Sequence, residues 1–174
     1  LLRAAIFKDG KQVSHLTETS FRLMPLGPNF GVAYSIFEAP SITSLNQTDK
    51  LIQKVSGISH EFSGHILDSL PNSESLYVKL KSFIFISVEG DYTFYTRSDD
   101  GSRLFLDGSL VVDNDGDHGI LERGGTLNLK PGWHEIEVDY FNAGGGYFLE
   151  VLFKGPDTPR QIIPADRLLL KPNL

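Results

Sequence analysis

The sequence predicts an all-β protein built as an antiparallel β-sandwich. Between Gly31 and Phe153, apolar and polar residues alternate in short runs, the period of half-buried strands. Asp-Gly, Pro-Gly and glycine-rich turns separate those runs at regular spacing. The aromatic residues, mostly the 12 Phe and 6 Tyr, favour strands over helices.

Taken in order, Arg3 to Phe7, the turn Lys8-Asp9-Gly10-Lys11 and Val13 to Thr17 read as a hairpin. Met24-Pro25-Leu26-Gly27-Pro28-Asn29 reads as a linker, and places a boundary after residue 25. Gly31 to Phe37 is the first strand of the main body. The polar stretch from Leu51 to Asn72 reads as a long loop or a short helix. Phe83 to Val88 and Tyr92 to Arg97 are expected to pair as a hairpin across Glu89-Gly90-Asp91. Arg103 to Leu106 and Leu110 to Val112 flank an Asp107-Gly108-Ser109 turn. Gly125 to Leu129 and Trp133 to Phe141 are expected to pair across Lys130-Pro131-Gly132. Phe148 to Phe153 closes the series.

At 174 residues the chain can bury one sizeable core, with room for a fragment of a second domain. A net charge of −6 without a basic stripe argues against nucleic acid as a partner. No apolar run is long enough to insert in a membrane as a helix. With no cysteine, disulfide frameworks and thiolate metal sites are excluded. The chain begins at Leu1 inside a strand-like run and reads as a piece of a longer protein.

Chemistry concentrates in two loops. Ser98-Asp99-Asp100-Gly101-Ser102-Arg103 sets two carboxylates side by side, and Asn142-Ala143-Gly144-Gly145-Gly146-Tyr147 offers an amide and bare carbonyls. On residue chemistry alone the acids are either ordinary turn residues or half of a site for a hard cation such as Ca²⁺. The glycines, likewise, either serve a tight turn or let carbonyls approach an ion. A third segment, Asp113-Asn114-Asp115-Gly116-Asp117-His118-Gly119, starts like an EF-hand loop. It lacks the bidentate acid at position twelve, where Gly124 stands, and reads as a solvated loop that could border a ligand. His60 and His65 miss the His-Glu-x-x-His spacing by one residue. His134 alternates with Ile136, Val138 and Tyr140 and is expected to face the core, with Trp133 packing on the other side. No serine elbow or phosphate loop is present, and adjacent acids in one loop rarely flank a sugar bond as a glycosidase pair. The isolated chain is therefore read as a non-enzyme.

The run Tyr92-Thr93-Phe94-Tyr95-x-x-Ser98-Asp99-Asp100-Gly101-Ser102-Arg103-Leu104-Phe105-Leu106-Asp107-Gly108 closely resembles the β-sandwich domain named after anthrax protective antigen, the PA-14 domain family. The resemblance continues in Val111-Val112-Asp113-Asn114, in Leu129-x-x-Gly132-x-His134-x-Ile136-x-Val138-x-Tyr140-Phe141, and in Ile163-Pro164. It covers roughly residues 31 to 170. Lectins of this family bind sugars through calcium, held by an Asp-Asp pair joined by a cis peptide bond. A second loop in those lectins adds an Asn side chain and two main-chain carbonyls at alternate positions. The resemblance implies Asp99, Asp100, Asn142, Gly144 and Gly146 as Ca²⁺ ligands. It further implies Tyr147 as a sugar-stacking ring, with Asp113, Asp115 and His118 on the rim of a glycan site. One departure is the triple glycine, which leaves Tyr147 and Phe148 as the nearby aromatics where the lectins carry larger loop residues.

Arg3-Ala4-Ala5-Ile6-Phe7-Lys8-Asp9-Gly10-Lys11-x-Val13-Ser14 resembles the last hairpin of a small sandwich in bacterial β-hexosaminidases. The expected layout is thus residues 1–25 as the tail of a preceding small β-sandwich and 26–174 as the PA-14-like sandwich. The expected role is a calcium-dependent carbohydrate-binding module of a glycoside hydrolase, secreted, periplasmic or at the cell surface, in contact with other domains of its parent. The alternative is a structural spacer in which any calcium only rigidifies the loops.

Overall fold

In the computed structural model the described residues are 2–4, 7–9, 11–12, 17–19, 27–68, 70 and 74–172. Near the start, β1 (Leu2–Ala4) pairs antiparallel with β4 (Thr17–Thr19), and β2 (Phe7–Lys8) with β3 (Lys11–Gln12). Asp9 between β2 and β3 has φ 50°, as an Asp-Gly hairpin turn requires. Ala5, Ile6, Gly10, Val13 to Leu16 and the Met24 to Leu26 part of the expected linker lie outside the described residues.

The main body begins with β5 (Val32–Glu38), β6 (Ile52–Ser59), β7 (Leu76–Ile86), β8 (Gly90–Asp99) and β9 (Ser102–Leu106). It continues with β10 (Ser109–Asn114), β11 (Leu121–Leu129), β12 (Gly132–Asn142), β13 (Phe148–Gly155), β14 (Thr158–Ile162) and β15 (Leu168–Leu169). One sheet runs β10-β9-β12-β7-β5-β6, with β15 also on β7; the other runs β11-β8-β13-β14. Among the described residues helical structure is confined to 3₁₀ turns, and no helix is long and apolar enough to cross a membrane.

The core lies between these two sheets. Ile136, Val138 and Tyr140 of β12 are fully buried, as are Leu80 and Ile84 of β7 and Tyr92, Phe94 and Phe153 of the facing sheet. Alternation leaves Glu135, Glu137 and Asp139 on the outer face, where Glu137 meets Lys79 at 2.6 Å and Lys81 at 2.5 Å across β7. His134 sits at the margin, its ring nitrogens 2.6 Å from Asp107 Oδ2 and 2.8 Å from the Lys130 carbonyl. Trp133 packs on Phe85 with ring centroids 5.1 Å apart.

Two expected pairings are corrected. β7 does not pair with β8, nor β11 with β12: each connection carries the chain from one sheet to the other. Alternation reports which face of a strand is buried, and both members of each pair bury a face in the same core. The Asp107-Gly108 hairpin does form between β9 and β10, with φ 47° and 77° at its two central residues. The stretch read as a loop or helix contains β6, an edge strand whose alternate residues are exposed.

Candidate ligand site at the Asp99-Asp100 loop

β8 ends at Asp99 and β12 at Asn142, and β13 starts with Phe148 opposite Asp99. The Tyr140 hydroxyl donates to the Asp99 carbonyl at 2.5 Å, and the Phe141 amide to the Gly101 carbonyl at 3.0 Å. These bonds tie the ends of the two sheets together. The Asp99–Asp100 peptide bond is cis.

Asp100 is only 4 % exposed. Its Oδ1 accepts from the His118 amide at 3.0 Å and its Oδ2 from the Ala143 amide at 2.8 Å. One carboxylate therefore joins three loops. Gly101 makes the approach possible, since a Cβ there would lie 2.4 Å from the Phe141 ring and 2.8 Å from the Gly116 nitrogen. Burial pushes the Asp100 carboxyl above the usual range; the two amides oppose the rise, and the negative charges of Asp117 and Asp99 add to it.

Asn142 is fully buried at the base of the second loop, while Gly144, Gly145 and Gly146 are exposed at its tip. A Cβ on Gly146 would meet nothing within 4 Å, and one on Gly144 only the Glu74 side chain at 3.9 Å. The carbonyl-bearing tip is open to solvent and its base is anchored on Asp100. Among the described residues no three His, Asp or Glu side chains converge as a metal cluster. A cation here would need two carboxylates supplemented by amide and carbonyl oxygens, a donor set that fits a hard ion such as Ca²⁺.

The other expected residues divide. Asp115 is not solvated: its Oδ1 accepts from the Leu45 amide at 2.8 Å, and its Oδ2 from Ser44 Oγ at 2.7 Å and Arg103 Nη2 at 3.0 Å. Asp113 accepts from Arg103 Nε at 3.1 Å, and Arg103 Nη1 reaches Asn46 Oδ1 at 2.9 Å. Asp115 thus fastens its loop to the turn Leu45–Gln47 directly, and Asp113 does so only through Arg103. His118 joins Asp100 through its backbone, while its ring nitrogens lie 2.8 Å from the Gly119 carbonyl and 3.1 Å from that of Asn114. Tyr147 is half-buried, and its hydroxyl donates to Asp68 Oδ1 at 2.5 Å.

Sequence reasoning missed two features. Beneath the acids lies a buried polar cluster, with Ser98 Oγ 2.7 Å from Ser102 Oγ and Asn114 Nδ2 donating to Ser98 at 3.1 Å. Both serines occupy core-facing positions of an alternating pattern, the signal that could have found them. Beside Tyr147 there is a groove of about 220 Å³, lined in part by Glu61, Phe62, His65, Tyr147, Phe148 and Glu150. Half of that lining comes from the segment read as a long loop or a short helix.

Fold and loops together define a β-sandwich module with a carboxylate-bearing loop cluster at one end. The family model described as the PA14 domain matches residues 62–167, and the chain belongs to this family. An alpha-agarase from Alteromonas agarilytica is 43% identical over 58 residues, 33% of this chain and 4% of the agarase. The anti-sigma-I factor RsgI3 of Acetivibrio thermocellus is 30% identical over 80 residues, 45% of this chain and 12% of that protein. The chain therefore spans a small fraction of the curated relatives it matches. Among solved structures, the PA14 sugar-binding domain from an RTX adhesin aligns with a TM-score of 0.69 at 18% identity, covering 81% of this chain and 98% of that one. None of these relatives is a hexosaminidase.

Proposed function

We propose that this chain is a non-catalytic carbohydrate-binding module of a longer, exported glycoside hydrolase, and that it takes glycans through calcium. The observation that carries the reading is the Asp100 bridge, which brings the Asp99-Asp100 loop and the Asn142 loop to one place. Asp99, Asp100, Asn142, Gly144 and Gly146 would hold the ion, which when bound offers open coordination positions to vicinal sugar hydroxyls. The protein's own part is to hold the acids and carbonyls in place, and to present Tyr147 beside them with its hydroxyl committed to Asp68. Family membership and the likeness to an agarase support the accessory role. Tethered to an enzyme, a weak single site raises the local concentration of substrate.

A second reading is favoured by the same bridge. Both Asp100 oxygens already accept backbone amides, so the loop cluster could serve as a brace in a spacer domain. A glycan array probed with and without a calcium chelator separates the two. Chelator-sensitive binding supports the module; an array blank in calcium leaves the spacer.

A further inference from the structure

We infer that the groove between residues 61–65 and β13 is a second saccharide subsite, which seats the sugar unit next to one held at the Asp99-Asp100 loop, and that it selects neutral over anionic glycans. The inference rests on the proposed glycan-binding role and extends it from one sugar ring to two.

Three observations place the subsite. First, the groove is continuous with the loop: Tyr147 follows Gly146 directly and lines the groove along with Phe148. Second, the walls are preorganised. Tyr147 is held by Asp68, whose other oxygen lies 3.2 Å from His65 Nδ1, and Phe148 carries the Arg97 guanidinium 5.1 Å from its ring centroid. Ser63 bridges to Glu150 as a short continuation of the sheet, so the 61–65 wall is fixed on β13. Third, the lining pairs aromatic and aliphatic surface with carboxylates. Tyr147, Phe148 and Ile162 suit the C–H face of a pyranose, while Glu61 and Glu150 accept hydrogen bonds from its hydroxyls. Arg97, 3.5 Å from Glu150, offsets that carboxylate, so it is Glu61, with no ion pair among the described residues, that disfavours a sulfate or uronate group and sets the preference for neutral sugars. At about 220 Å³ the space suits a single ring.

The test is calorimetry in calcium buffer with galactose, glucose and N-acetylglucosamine, beside neutral oligosaccharides of agarose, cellulose and chitin and a sulfated galactan oligosaccharide. One neutral oligosaccharide is expected to bind about tenfold more tightly than its monosaccharide. Ile162→Trp, which narrows the groove at an exposed position, and Glu61→Ala should each abolish that gain while monosaccharide and calcium affinities stay unchanged. Equal affinity for mono- and oligosaccharide overturns the subsite but leaves the calcium site standing. A gain that survives both variants, or equally tight binding of the sulfated oligosaccharide, also overturns it. Absence of any sugar binding by the wild type overturns both the subsite and the glycan-binding reading.

Discussion

Asp100 accepts the Ala143 amide at 2.8 Å through one carboxylate oxygen and the His118 amide at 3.0 Å through the other. This makes the second acid of the pair a structural joint as well as a candidate ligand. Asp100→Ala is expected to cost about 1–3 kcal/mol for each amide left without an acceptor. Asp100→Asn does not restore the joint, because its amide nitrogen faces a donor where the wild type offers an acceptor. Urea denaturation in chelator measures both variants, and an Asn variant as stable as wild type would refute the joint.

Arg103 sends Nε to Asp113, Nη1 to Asn46 and Nη2 to Asp115, three acceptors in different directions. A lysine ammonium cannot reproduce that fork. Arg103→Lys is expected to destabilise the fold by about 2 kcal/mol. Hydrogen exchange should quicken at residues 113–118 before it does so in the core strands.

Gly125 of β11 lies against β10, where a Cβ would come within 1.9 Å of the Val111 carbonyl oxygen. The two strands belong to opposite sheets, so Gly125→Ala would force that flank of the sandwich apart. A loss of about 1–3 kcal/mol is expected in thermal or urea unfolding, as for other overpacked sites.

Burial would raise the Glu137 carboxyl, but hydrogen bonds from Lys79 and Lys81 outweigh it and hold the group below its ordinary value of 4.5. Its stabilising contribution is therefore complete above that unfolded-state value, and is lost as pH falls through the lower folded-state value. The stability difference between wild type and Glu137→Gln should be present at pH 7 and shrink below pH 4.5. Asp139, raised by burial, titrates in the opposite sense, so the comparison between the two proteins is the informative quantity.

Strand positions and the buried face were legible wherever alternation was strong, as in Ile136, Val138 and Tyr140. Partners were not: β7 and β8 looked like a hairpin because each buries one face, yet that face meets the shared core from opposite sides. β6 escaped notice because an edge strand with exposed alternate residues lacks an apolar stripe. Motif and spacing pointed to the Asp99-Asp100 and Asn142 loops, and the Ala143 amide bonded to Asp100 brings those two loops together. The role of Asp115 was not, because Ser44 and Leu45, which it fastens, lie about seventy residues away in the chain. The groove was hidden for the same reason, its two walls coming from residues 61–65 and 147–150.

Glycan binding, as proposed, depends on a calcium clamp formed by the Asp99-Asp100 and Asn142 loops. Calorimetric titration of calcium into the wild type and Asp99→Asn, each followed by the glycan that the array identifies, tests it most directly. One calcium per chain is expected in the wild type, with loss of that binding in Asp99→Asn and glycan heat only in the calcium-loaded wild type. Glycan binding of equal strength in chelator, or an Asp99→Asn variant that binds calcium as the wild type does, would contradict it.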